Sequence, residues 1–218
     1  MVKAAGRVVR KCRLLESGAP LLLATLLCGM GGCVDSPATR LYLLTPTTMG
    51  SRTVAGERTL SVGIGPVDLP PLLDRPGIVT RRGPAQIERA EFDRWAEPLA
   101  DSIPRVLASD LGSRLGTDRL AVLPWEASGS FQYQVVVDVA RFDGVMGKQV
   151  ILDARWRVLG RDGRELLVRR SVLTEATDGA SYQALVASMS RALGALSQEI
   201  ASGLTAVALT VHAEPTHH

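Results

Sequence analysis

Three runs of alternating apolar and polar residues lie between residues 131 and 172, separated only by short glycine-containing turns. Successive side chains of a β-strand point to opposite faces, so each run predicts a strand with one buried face. Turns this short join antiparallel neighbours, and we therefore predict a three-stranded antiparallel meander. The alternating positions are Phe131, Tyr133, Val135, Val137 and Val139, then Val150, Leu152, Ala154, Trp156 and Val158, and then Leu166, Val168, Arg170 and Val172.

Two segments have the apolar spacing of amphipathic helices. The first begins at Pro98, where a missing N–H is tolerated, and ends before Gly116; Pro104 lies inside it and is expected to kink it. The second covers residues 180–207 and has the apolar stripe of a helix that covers a sheet, although a helix on a membrane or a partner would also show one. The stripe consists of Leu185, Met189, Leu193, Leu196, Ile200, Leu204 and Val207.

The remaining elements are shorter. Residues 41–44 and 60–67 are predicted to be strands, and residues 78–82 and 86–90 a hairpin around Gly83. Together with the meander and the helices, they predict a single α+β domain. Its mixed or antiparallel sheet packs against two amphipathic helices.

The amino terminus is organised like a bacterial lipoprotein signal. Basic residues up to Arg13 precede an apolar stretch of about ten to twelve residues, which is shorter than a membrane span requires. Gly31 and Gly32 then lead to Cys33, as in a lipobox, although Met30 stands where leucine is usual. We expect cleavage before Cys33 and acylation of its thiol. An ordinary signal peptide followed by an accidental cysteine is the alternative.

Lipidation of Cys33 would fix the domain to a bilayer, since several acyl chains on one residue bind firmly. The next residue is Val34 rather than aspartate, which by analogy with enterobacterial sorting favours the periplasmic face of the outer membrane, although Asp35 follows it. The predicted parts are a signal peptide (1–32), the lipidated cysteine and its tether (33–40), the domain (41–208) and a flexible tail (209–218).

Composition excludes several classes of function. The leader holds five basic residues and one acidic residue; the remainder has 20 basic and 21 acidic residues, a net charge of −1, which gives no electrostatic basis for nucleic-acid binding. The three histidines lie in the last seven residues, and Cys33 is the only cysteine after the leader. The domain therefore lacks the residues for a Cys–His nucleophile, a Ser–His–Asp triad or a Cys/His zinc site. We predict no enzyme, cofactor or metal.

Two segments contain candidate functional residues. The segment 68–76 is the richest in proline, which holds it extended, and its leucines either fold onto the core or contact a partner. The candidate partner-binding residues are Leu69, Leu72, Leu73, Asp74 and Arg75.

The second segment contains the carboxylates Glu88, Glu91, Asp93 and Glu97. They could form an acid/base set, but the arginine and aromatic residues among them are more typical of a salt-bridged surface.

Several strings resemble the PqiC/YmbA-type ABC-transport auxiliary lipoprotein family. After the lipid cysteine come residues 41–46 (LYLLTP), 62–70 (VGIGPVDLP), 73–76 (LDRP), 91–99 (EFDRWAEPL) and 141–144 (RFDG). The run from Asp68 to Leu99 is the most specific part. One difference is that Leu72 and Gly77 replace the tyrosine and glutamine that the family pattern leads us to expect.

The resemblance implies a periplasm-facing lipoprotein that works beside an MCE-domain (PqiB-like) protein and inner-membrane transporter components. Such systems move lipids between the two membranes and support envelope integrity. The resemblance supplies no catalytic residues, and only Cys33 matches a position of defined chemistry.

Our leading hypothesis is an outer-membrane-anchored accessory or docking subunit of an MCE-type lipid transport system, with the loop around Leu69–Arg75 contacting the partner. Self-assembly into a homo-oligomeric ring would suit this role. The first alternative is a periplasmic carrier with an acyl chain between the meander and the long helix. A more remote one is a hydrolase that uses the carboxylates of residues 88–97.

Overall fold

The computed structural model describes residues 37–48, 60–124 and 131–213, so that Cys33 and the predicted signal peptide lie outside the described residues. Strands and helices occur together, which confirms the α+β class. The strands are β1 (Arg40–Tyr42), β2 (Val62–Asp68), β3 (Gly77–Arg81), β4 (Ile87–Trp95), β5 (Leu120–Val122), β6 (Tyr133–Val145), β7 (Gln149–Gly160) and β8 (Glu165–Ala176). The helices are α1 (Leu99–Leu115) and α2 (Tyr182–Ala213).

The described strands form one mixed sheet with β6 at its centre. β6 pairs antiparallel with β7, and β7 with β8, which confirms the predicted meander. On its other side β6 runs parallel to β2 near its start and to β3 near its end. β4 pairs antiparallel with β3, which confirms the hairpin. The short strands β1 and β5 run parallel to β4 and β2.

The hydrophobic core lies between the sheet and the two helices. The alternating residues of β7 from Val150 to Val158 are completely buried, as the sequence pattern predicts. The apolar stripe of α2 is also buried. The helix comes very close to the sheet at Gly203, where a Cβ atom would lie 2.7 Å from Cη2 of Trp156. α2 is therefore a core helix that covers the sheet.

The length and composition of α2 would also allow it to cross a membrane. Half of the residues in the segment Tyr182–Val211 are, however, buried inside the domain. Packing against the sheet accounts for its apolar character.

The predicted buried face of β8 is wrong. Leu166, Val168 and Val172 point outwards and are 39%, 40% and 59% exposed. The inner face is formed by Leu167, Ser171 and Leu173. Adjacent apolar pairs such as 166–167 and 172–173 fit either face, so the alternation is ambiguous. The hydrogen bond from Trp156 Nε1 to Ser171 Oγ, 2.9 Å long and buried, joins the inner face to the core.

Some boundaries also differ from the predictions. α1 runs without interruption through Pro104 and ends at Gly116, whose φ of 62° is the left-handed conformation typical of a helix end. β5 was not predicted because three residues carry too little pattern. α2 continues to Ala213, beyond the predicted end at residue 207.

Candidate functional site

The proline-rich loop connects β2 to β3. Pro70 and Pro71 begin a tight turn in which the N–H of Leu73 donates to the carbonyl of Pro70 over 2.8 Å. This turn directs Leu73 into the core, where it is 4% exposed, and Leu69 packs partly against the same core. Two of the three leucines of this loop therefore contribute to folding.

The other candidate residues lie on the surface. Leu72 is 42% exposed, and Asp74 and Arg75 follow it as exposed residues. The guanidinium of Arg75 donates from Nε to the carbonyl of Pro71 over 3.3 Å. Within the described residues, neither Asp74 nor Arg75 forms an ion pair. The loop thus presents one apolar side chain beside one negative and one positive charge.

A pocket of about 330 Å³ lies beside this loop. Its floor includes Trp95, whose backbone N–H donates to the carbonyl of Pro76 over 2.7 Å. That hydrogen bond joins the loop to the end of β4. The volume is at the small end of ligand sites and suits one or two side chains of a partner. The lining residues are Asp74, Arg75, Pro76, Trp95, Ala96, Glu97 and Pro98.

The candidate acid/base carboxylates do not come together as a set. Glu88 pairs with Arg82 over 2.6 Å, Glu97 pairs with Arg105, and Asp93 pairs with Arg40. In each case the hydrogen bond from the arginine lowers the pKa of the carboxyl group. A general acid requires a raised pKa, so these three carboxylates act as partners in ion pairs.

Asp93 is the centre of a polar cluster that the sequence did not reveal. Arg40 donates to its two oxygens from Nε and Nη2, both over 2.8 Å, and the hydroxyl of Tyr42 donates to Oδ1 over 2.7 Å. The ring of Tyr42 also contacts that of Tyr182, with centroids 6.5 Å apart. We call Arg40, Tyr42 and Asp93 the latch, because they fix the start of the domain to β4.

A second polar contact fixes the chain that follows the latch. Asp110 is completely buried in α1 and accepts hydrogen bonds from the backbone N–H groups of Thr47 and Thr48 over 2.9 and 3.0 Å. Thr47 sits against Gly194 of α2, where no larger residue would fit. The segment 40–48 is therefore held by β4 and by both helices.

The interface between the meander and α2 is filled by buried side chains such as Trp156 and Leu196. The carrier hypothesis places an acyl chain at this interface. Across the described ranges, no cluster of three or more His, Cys, Asp or Glu residues could hold a metal ion.

Sequence and structure comparisons identify related proteins. The family model described as ABC-type transport auxiliary lipoprotein component matches residues 42–201. A crystal structure of an uncharacterized protein, 21% identical, superposes with a TM-score of 0.62 and covers 77% of this chain and 99% of its own. A Xanthomonas campestris protein of the family DUF330, 15% identical, superposes with a TM-score of 0.65 and covers 80% of this chain and 100% of its own. At these identities both structures show the fold alone. No curated protein sequence matches the chain.

Proposed function

Since the chain belongs to the family of ABC-type transport auxiliary lipoproteins, we propose that it is an outer-membrane-anchored docking subunit of an MCE-type lipid transport system. Membership makes it a transport-associated lipoprotein of the bacterial envelope, in a family that is not known for enzymes. Attachment through Cys33, the periplasmic face of the outer membrane and the MCE-domain partner are the proposed refinements. The sequence around Cys33 and the residues around the proline-rich loop support them.

The observation that carries the docking role is the surface formed by the proline-rich loop and its pocket. Leu72 is exposed next to Asp74 and Arg75, whose charges have no ion-pair partner among the described residues. The buried residues Leu73 and Trp95 hold this surface in place from below. Binding residues are often found on loops that a folded scaffold positions, and here an exposed leucine lies next to a small pocket and two unpaired charges.

The proposed mechanism is tethering. Acyl chains on Cys33 confine the domain to one leaflet, which raises its effective concentration for a partner that reaches the same membrane. The domain then contributes a folded surface rather than a reaction, in agreement with carboxylates that are occupied by arginines. Contacts with inner-membrane components would pass through the MCE-domain protein.

The test is co-purification of the MCE-domain protein from membranes with the lipidated chain. We expect Cys33→Ser to abolish membrane retention, and Leu72→Asp to reduce recovery of the partner while membrane retention is kept. Leu209→Asp is the matched control, because Leu209 is also an exposed leucine, 59% accessible, but lies on α2. Equal recovery with Leu72→Asp and Leu209→Asp would exclude the loop as the docking surface. Failure to recover any MCE-domain protein with the unaltered chain would contradict the docking role itself.

A further inference from the structure

Two leucines at the start of the domain point away from it. Leu41 is 64% exposed and Leu43 is 50% exposed, and Leu41 is the most exposed large apolar residue in the described part of the chain. Arg40 and Tyr42 lie on the other side of the strand, where both donate hydrogen bonds to Asp93. Since successive side chains alternate, Leu41 and Leu43 share the side that faces away from the latch. Neither leucine contributes to the core.

A positive charge lies beside these leucines. Arg94 of β4 is the register partner of Leu41, and partners in a parallel pair share a face of the sheet. The Arg94 side chain is exposed, donates from Nε to the carbonyl of Glu91 over 3.0 Å and forms no ion pair with a described carboxylate. We call Leu41, Leu43 and Arg94 the entry face. It combines apolar side chains with a cation, as helices that lie in a membrane interface do.

The tether from Cys33 leads directly to the entry face. Eight steps from Cα to Cα separate Cys33 from Leu41, which is at most about 29 Å when extended and about 15 Å on average for a flexible chain. Ala38 and Thr39, which directly precede β1, are exposed. A folded domain of this size is about 40 Å across. Because the tether is shorter than the domain, a lipid on Cys33 keeps the side that contains the entry face nearest to the bilayer.

We propose that the entry face lies on the membrane to which Cys33 is anchored, with Leu41 and Leu43 in the headgroup region and Arg94 against anionic headgroups. This inference rests on the lipidation of Cys33 in the proposed function, but it does not depend on the proline-rich loop. Two leucines bury little area, so the contact is weak by itself, and the tether supports it by holding the entry face at a high effective concentration near the bilayer. The contact fixes which side of the domain faces the membrane.

The test uses the full lipidated chain, purified from membranes and reconstituted into vesicles. An acylated Cys33 has no free thiol, so the cysteine introduced by Leu41→Cys, Leu43→Cys or Leu209→Cys can be labelled alone with an environment-sensitive fluorophore. Leu209 is the matched control, since it is a similarly exposed leucine, 59% accessible, near the far end of α2. We expect a phospholipid that carries a nitroxide quencher to quench the labels at positions 41 and 43 at least about twofold more than the label at position 209.

Lipid charge and a further variant test the role of Arg94. Adding phosphatidylglycerol to phosphatidylcholine vesicles should increase quenching at position 41, and Arg94→Glu should remove that increase while thermal unfolding stays unchanged. Equal quenching at the three labelled positions, no effect of Arg94→Glu, or shielding of the labels by self-association before vesicles are added would each overturn the proposal. Labelling of the unaltered chain would instead reveal a free thiol at Cys33, which would contradict the anchoring in the proposed function and this inference with it.

Discussion

Arg40 and Asp93 are 53 positions apart in sequence and form an ion pair through two hydrogen bonds of 2.8 Å. Asp93 is almost completely buried, whereas most of the Arg40 side chain is exposed. The parallel pairing of β1 with β4 brings the two residues together. The pair therefore fixes the first described strand to the sheet at the point where the chain enters the domain.

Asp93→Asn should destabilise the domain by about 1–3 kcal/mol, because it removes a buried charge that accepts three hydrogen bonds. The measurement is the free energy of unfolding from urea denaturation. Glu91→Gln is the control, since Glu91 is an exposed carboxylate of the same strand and forms no ion pair with the described residues. Equal stabilities of the two variants would contradict a structural role for the latch.

The stabilising effect of Asp93 should depend on pH in one direction. The hydrogen bond from Arg40 lowers the pKa of Asp93 below the value of 3.8 for an ordinary aspartate. The folded state therefore binds the proton less readily than the unfolded state, and the contribution is complete well above that value. As the pH falls through the lowered pKa, the difference in unfolding free energy between the wild type and Asp93→Asn should shrink. A difference that grows on acidification would contradict this assignment.

The two neighbouring leucines of the proline-rich loop should respond differently to truncation. Leu73→Ala should cost about 2–4 kcal/mol because the side chain is buried, whereas Leu72→Ala should change stability by less than about 0.5 kcal/mol. Chemical denaturation of both variants tests the orientation of the loop. A larger loss for Leu72→Ala would mean that the loop is turned the other way.

Gly203→Ala should be destabilising by about 1–3 kcal/mol, because its methyl group would collide with the ring of Trp156. Gly83→Ala is the matched control, since a Cβ atom at Gly83 meets nothing within 4 Å. Thermal unfolding of the two variants provides the comparison. Equal melting temperatures would show that α2 lies further from the sheet than described.

The strongest periodic signals predicted the structure well. The alternating residues of β7 and the apolar stripe of α2 lie in the core, as their spacing requires. β8 has apolar residues on both faces, so its sequence could not determine which one is buried. The packing of Leu167 and Ser171 against the rest of the domain makes that choice.

The candidate site was only partly predictable. The resemblance drew attention to the proline-rich loop and to the string that contains Trp95, but local sequence could not show that the two meet at one pocket. Local sequence also could not show that Leu73 is buried and Leu72 exposed, because the direction of each side chain depends on the turn at Pro70. The latch joins residues that are far apart in sequence. Their contact could be predicted only if the parallel pairing of β1 with β4 were already known.

The position of the latch determines how an anchored domain can move. Given a lipid on Cys33, six residues lie between that cysteine and Arg40, and the seven steps from Cα to Cα span at most about 25 Å when extended. Tyr42 places this attachment beside Tyr182, the first residue of α2. The helix extends for about 48 Å from there. If Cys33 carries the lipid, the attachment therefore lies at one end of the longest element, and we expect the opposite end of α2 to reach the farthest from that attachment.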